Sequence, residues 1–150
     1  MTNTIGCIEK ADTILITGSN TSENHPVLSS FVKRAVTQKG ARLIVVDPRR
    51  IRIARFADLY LRQNLGTDVA LLNGMMHIIL HNDWHAQNYI EERTEGFEEL
   101  QRVLEAYSPA RVKKITGVAI KDIERMAKLY AKNSPATLLY TMGITQHTTG

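Results

Sequence analysis

The chain has 150 residues, 43% hydrophobic and 23% charged, with a net charge of +4 and one cysteine. That size and balance describe one globular domain with a real core and exclude a disordered chain. A lone Cys7 excludes an internal disulfide and a multi-cysteine metal cluster, and the longest near-apolar run, residues 69–80, carries Asn73, Gly74 and His77 and is too short to span a membrane. The basic residues form no long run. Their densest group, Arg49, Arg50, Arg52 and Arg55, suggests one anionic site rather than a nucleic-acid-binding face.

Residues 1–11 carry little signal. Thr13 to Thr17 is short, apolar and β-branched, the pattern of a buried strand, and Gly18 bounds it. A polar loop, Gly18 to Asn24, leads to Pro26. Val27, Leu28, Phe31, Val32, Ala35 and Val36 then recur at helical spacing. Proline suits the first turn of that helix, and Lys39-Gly40 supplies a basic last turn and a closing glycine. Arg42 to Val46 is a second buried strand ending at Asp47-Pro48-Arg49-Arg50. Strand, helix, strand at this spacing makes a right-handed βαβ unit.

Ile51 to Phe56 reads as one or two helical turns, and Asp58 to Leu61 as a short third strand. The loop 63–68 follows, with Thr67 or Asp68 as the N-cap of a central apolar helix to about Asn82. Residues 84–133 read as helices only, a long insert: 86–92; a helix marked by Phe97, Leu100, Leu104 and Tyr107; a basic one between Ser108-Pro109 and Gly117; and one striped by Ile120, Ile123, Ala127 and Tyr130. Ala136 to Met142 is a last buried strand, and Gly143 to Gly150 a ligand loop. A doubly wound sheet covers such a strand with a further helix, so the chain is expected to be part of something longer.

The expected fold is α/β: a three-layer sandwich around a mostly parallel, four-stranded, Rossmann-like sheet. Its strand order is third, second, first, fourth, by analogy with half a nucleotide-binding fold. The loops after the strands, and the entry to the central helix, then lie on one edge, the general position for ligands. Backbone N–H groups at a strand–loop–helix junction favour phosphate. Asp47 suits ribose hydroxyls, and Arg49 can present a planar fork to phosphate. Gly18 is followed by Ser19 and Asn20 with no second glycine, so this is not the G-x-G-x-x-G fingerprint. The bland alternatives are a plain loop, with Asp47 capping a turn and Arg49 a surface charge. His77, His81 and His85 are spaced for a shared metal, but there is no H-E-x-x-H; partly exposed helix histidines are the commoner explanation. His25 and His147 sit in ligand loops without a nucleophile to pair with. The run Glu91, Glu92, Glu95, Glu98, Glu99 reads as a solvated face.

Gly18-Ser-Asn20 with His25-Pro26, Val46-Asp-Pro-Arg49, Gly66-Thr-Asp68, Arg93-Thr-Glu-Gly-Phe97 and Met142-Gly-Ile-Thr-Gln146 occur in this order along essentially the whole chain. In these motifs the sequence resembles the molybdopterin oxidoreductases. The Thr-Glu-Gly-Phe element and the Met-Gly-Ile-Thr-Gln end make it most similar to the formate dehydrogenase alpha subunits among them. The resemblance implies a cofactor of two molybdopterin guanine dinucleotides holding molybdenum or tungsten. It implies that Gly18, Ser19, Asn20 and His25 approach that cofactor and that Asp47, Pro48, Arg49, Gly66 and Asp68 meet its nucleotide part. Met142, Gly143 and Gln146 would lie on the pterin or phosphate side. The family's metal-ligating cysteine or selenocysteine is followed by histidine, and many members add a four-cysteine iron–sulfur motif. Cys7 matches neither. The resemblance therefore places metal ligand and iron–sulfur cluster elsewhere in a parent chain, with the parent's other domains, and electron-transfer subunits, as partners. This piece alone is expected to be inactive.

Two rival readings stand beside it. One is a nicotinamide- or flavin-binding domain, which needs the glycines missing after Gly18. The other is a cofactor-free module whose arginines contact a protein or nucleic acid, although no aromatic-plus-basic face is visible.

Overall fold

The computed structural model describes residues 3–148. Four parallel strands form one sheet in the order β3-β2-β1-β4: β1 (Thr13–Thr17), β2 (Arg42–Val46), β3 (Leu59–Leu61) and β4 (Ala136–Tyr140). This is the expected order. Every residue of β1 is buried, as a central parallel strand covered on both faces requires.

Side chains alternate across the pleat. Ile14, Ile16, Leu43 and Val45 join Val32 and Ala35 of the long helix α2 (Pro26–Lys39), which follows the single-turn α1 (Thr21–Asn24). Two 3-10 segments, Ile5–Lys10 and Arg52–Phe56, complete that layer. On the other face Leu15, Ile44 and Val46 meet Leu71, Met75 and Ile78 of α3 (Asp68–His81). Val112 of α6 (Pro109–Thr116) and Ile123, Met126 and Ala127 of α7 (Ile120–Lys132) close the same seam. Each fully buried aliphatic side chain contributes about 1.5–3 kcal/mol. These seams therefore outweigh any single loop hydrogen bond, at about 0.5–1.5 kcal/mol, and hold the strand ends in place.

Helix ends follow the sequence signals. Pro26 opens α2 and Pro109 opens α6, while Gly40, at φ +74°, closes α2 in the left-handed conformation. The helical stretch between β3 and β4 is more than an insert: α6 and α7 supply a layer of the sandwich. By contrast, α4 (Gln87–Arg93) buries none of its residues and α5 (Phe97–Glu105) buries only Leu104.

Three expectations need correction. The polar loop after Gly18 contains the turn of helix α1, because its residues 20–25 close i→i+4 hydrogen bonds. Thr67 is the N-cap of α3, as expected, and its carbonyl accepts from the Leu71 N–H, while its hydroxyl donates to the Asn64 carbonyl. β4 is not buried: it is an edge strand, with Leu138 41% and Tyr140 55% exposed. Its last expected residue, Met142, instead begins a single helical turn, α8 (Met142–Thr145), where a ligand loop was expected. The last two residues of that loop lie outside the described residues.

The strand pairing is flush at one end. Thr17 pairs with Val46 and Tyr140, and Val46 pairs with Leu61. Their successors Gly18, Asp47, Arg62 and Thr141 therefore leave the sheet side by side.

Candidate functional site

At that edge lies a pocket of about 290 Å³. Nine residues expected there from the sequence line it: Gly18, Asn20, Asp47, Pro48, Arg49, Gly66, Asp68, Met142 and Gly143. Three do not. Ser19 is buried and its hydroxyl pairs with that of Thr21. His25 sits with Ser19 behind the β1 loop, lining a separate apolar groove with Val27, Leu138 and Tyr140. Gln146 caps the far end of α8. The α1 turn causes the first two departures by carrying Ser19 and His25 to the other side of the loop. His147, in the last loop, does line the pocket, as do Asn24, Gln63 and Thr141. Gln63 carried no motif, and its only signal was a polar residue two positions after a buried strand.

The walls are tied together. The backbone N–H of Gly143 and the Thr141 hydroxyl both donate to the Gly18 carbonyl, at 3.1 and 2.9 Å. This joins the loop after β1 to the loop after β4. On the other side, the Arg49 N–H donates to Asp47 Oδ1 at 2.8 Å, so Asp47 does cap its own turn. The Tyr60 hydroxyl holds the Asp47 carbonyl and Arg62 Nε holds the Pro48 carbonyl, each at 3.0 Å. Burial raises the Tyr60 phenol above its ordinary value of 10.0, which keeps it a proton donor at neutral pH. Arg49 stays 72% exposed in its side chain, 3.5 Å from Asp47, with its guanidinium fork free to turn toward an anion.

The third wall is Asp68 at the start of α3. It is buried, accepts a hydrogen bond from Gln63 Nε2 at 2.8 Å, and faces His147 Nδ1 at 3.7 Å. The lining thus combines two carboxylates, a guanidinium, an imidazole and three glycine-bearing loops. It can accept hydrogen bonds from ribose or base and donate to a phosphate. At about 290 Å³ it suits one part of a dinucleotide, near the lower bound for small-molecule sites. Larger hollows lie elsewhere, one of about 600 Å³ beside α4 and α5, but they lack the convergence of strand ends.

The three histidines have local partners, and His85 lies beyond the end of α3. His77 Nδ1 meets the Leu104 carbonyl at 2.9 Å and stacks on His81, and His85 Nε2 meets Gln87. Among the described residues no group of three or more histidines, cysteines or carboxylates is placed to hold a metal, and no helix is long and apolar enough to cross a membrane.

Comparison with known proteins decides the family. The model of the molybdopterin oxidoreductase family matches residues 1–150. The chain belongs to that family. It is 47% identical over 150 residues, all of the chain, to the F420-dependent formate dehydrogenase 1 subunit alpha of Methanococcus maripaludis, of which it covers 22%. It is 38% identical over 146 residues, 97% of the chain, to formate dehydrogenase H of Escherichia coli, of which it covers 20%. Among solved structures, acetylene hydratase from Pelobacter acetylenicus superposes with a TM-score of 0.83 at 33% identity, over 89% of this chain and 18% of that one. The chain thus spans about a fifth of the length of the relatives it matches.

Membership implies a molybdopterin cofactor carrying molybdenum or tungsten. The pocket fits part of such a group in two respects. Asn20 Oδ1 and Gln63 Oε1 are buried and lack hydrogen-bond partners, as does Thr17 Oγ1 at the end of β1. Such groups are costly unless something completes them. Gly18 and Gly143 meet with no side chain between them, so backbone, not side chain, forms that wall. Among the described residues no cysteine lines the pocket.

Proposed function

We propose that this chain is one segment of a formate dehydrogenase-type subunit, a single α/β domain that binds and orients molybdopterin guanine dinucleotide. In the complete enzyme formate gives up two electrons and a proton to become carbon dioxide, chemistry supplied by the bound cofactor. The observation that carries the reading is the convergence of four strand-end segments on one pocket. Gly18, Asp47, Asp68 and Gly143 come from four places in the sequence and line the same hollow. The names of the two relatives support the choice of formate.

Each residue then has a physical task. Arg49 neutralises a phosphate, while Asn20, its Nδ2 donating to Glu23, offers its unpartnered Oδ1 to a donor of the nucleotide. Asp47 and Asp68 accept hydrogen bonds from the nucleotide. Gly18 and Gly143 let the loops after β1 and β4 pack backbone to backbone and so form that wall of the pocket. Met142 and His147 border the side toward the pterin. The metal ligand, any iron–sulfur cluster and the electron-transfer partners belong to other parts of the assembly. A nicotinamide-binding domain is the alternative. After Gly18 it would need a glycine-rich turn, where this chain has Ser19, Asn20 and the helix α1.

The complete subunit tests the proposal. Purified and acid-treated, it should release guanine nucleotide in step with its molybdenum or tungsten content, and it should oxidise formate. A subunit that holds the metal without guanine nucleotide, or loads fully and leaves formate untouched, overturns it. For the alternative, saturating NAD should leave the melting temperature of the 150-residue chain unchanged.

A further inference from the structure

Gln63 is 3% exposed and stands between β3 and α3. Its Nε2 donates to Asp68 Oδ1 at 2.8 Å, while its own Oε1 is buried with no partner. The amide presents its nitrogen, the donor, to the carboxylate oxygen of Asp68. Leucine or methionine would fill the same space without stranding a carbonyl oxygen. Glutamine at this position makes sense for the contact it gives Asp68.

We propose that Gln63 is a positioning residue that sets the base specificity of the pocket through Asp68. With Oδ1 held by Gln63, the Asp68 carboxylate cannot swing, and Oδ2 is left on the side of His147, another lining residue. The 3.7 Å separation from His147 Nδ1 exceeds hydrogen-bond length and leaves acceptor positions open on Oδ2. A fixed acceptor-only group complements a base edge made of donors. Guanine presents two adjacent donors, its ring N1–H and its 2-amino group. Hypoxanthine lacks the amino group, and adenine presents a ring acceptor there. Sites built to receive a hydrogen bond reject analogues that cannot give it. This inference rests on the pocket being a nucleotide site.

The test is a set of titrations of the 150-residue chain with GDP, IDP and ADP at millimolar concentration, followed by amide chemical shifts. In the wild-type chain GDP should bind at least about tenfold more tightly than ADP, with IDP between them. Gln63→Met and Gln63→Leu fill the space of the side chain but have no donor for Asp68. Both should bring the GDP and ADP affinities within about threefold by weakening GDP more than ADP. Resonances of β2 and α7 report whether each variant stays folded. A second measurement needs no variant: the Gln63 side-chain amide protons should exchange slowly in the wild-type chain, and more slowly with GDP. Selectivity that survives both substitutions, or Gln63 amide protons exchanging as fast as those of a surface glutamine, overturns the role of Gln63 alone. Absence of any GDP-dependent shift around the pocket overturns the nucleotide reading and this inference with it.

Discussion

The backbone N–H of Gly143 reaches the Gly18 carbonyl, and neither residue has room for a side chain. A Cβ on Gly18 would stand 2.7 Å from the Gly143 carbonyl carbon, and one on Gly143 would overlap the Gly18 carbonyl oxygen. Gly18 also sits at φ +58°. Gly18→Ala should therefore cost the left-handed strain of about 1–2 kcal/mol plus an overpacking cost of similar size. Gly143→Ala should cost about 1–3 kcal/mol. Gly40 is left-handed too but has nothing within 4 Å of its Cβ position. Gly40→Ala should cost only that left-handed strain, about 1–2 kcal/mol. Urea unfolding of the three variants checks the ranking, and a Gly18 variant no worse than the Gly40 one would refute it.

A second glycine is set by packing alone. Gly74, inside α3, faces Val112, whose methyl carbons would lie 2.7 and 2.9 Å from an added Cβ. In an exposed helix, alanine would be better than glycine by about 1 kcal/mol. Here valine is stiff and cannot yield. Gly74→Ala should destabilise by about 1–3 kcal/mol, and Val112→Ala by about 2 kcal/mol. The double variant should lose less than the sum. Additive losses in a double-mutant cycle would show that the two do not touch.

Asp58 links β3 to β2. Its carboxylate accepts from the Leu43 N–H at 2.9 Å and from Arg42 at 2.8 Å. Burial pushes its pKa up, but these hydrogen bonds outweigh burial and leave it below the ordinary 3.8. A depressed carboxyl contributes stability above the unfolded value and loses it as pH falls through the folded one. Asp58→Asn should cost about 1 kcal/mol at pH 7. It should also flatten the stability decline below about pH 4, where the wild-type chain gives up this contribution. Unfolding midpoints between pH 2.5 and 7 would show it, and identical pH profiles would remove Asp58 from the account.

Arg49 tests the site without touching the core. Its side chain is 72% exposed and, among the described residues, its one ion pair is to Asp47. Arg49→Ala should change stability by less than about 0.5 kcal/mol. In the complete subunit it should lower cofactor retention several-fold. Unchanged metal and pterin content in the purified variant would take Arg49 out of the site.

The framework was legible because its strands are apolar runs and its helices carry capping residues. Thr13–Thr17 and Arg42–Val46 were readable to the residue, and Gly40 and Gly117 marked helix ends. The lining was less legible. Ser19 and His25 belong to a motif, yet a one-turn helix without periodicity rotates them away. Asp47 served both readings, since its carboxylate caps the turn and still lines the pocket. Gln63 was invisible as a site residue because its meaning lies in one buried contact five positions along the chain. β4 reads as buried from composition, but burial depends on what packs against it, and Leu138 and Tyr140 face outward.

The pairing of β1 with β4 has a consequence for the order of assembly. Thr13 and Ala136 are 123 positions apart (136 − 13), whereas Thr13 and Arg42 are 29 apart (42 − 13). Closing the longer loop costs about 1 kcal/mol more entropy, and contacts this remote form slowly. The half-sheet β1–β2–β3 can nucleate early, leaving the Gly18–Gly143 wall for the end. The pocket is then the last feature to be built and the first to open. β4 amides should exchange with solvent at lower opening energies than those of β1 and β2, and a ligand seated in the pocket would act as the latch on the longest closure in the chain.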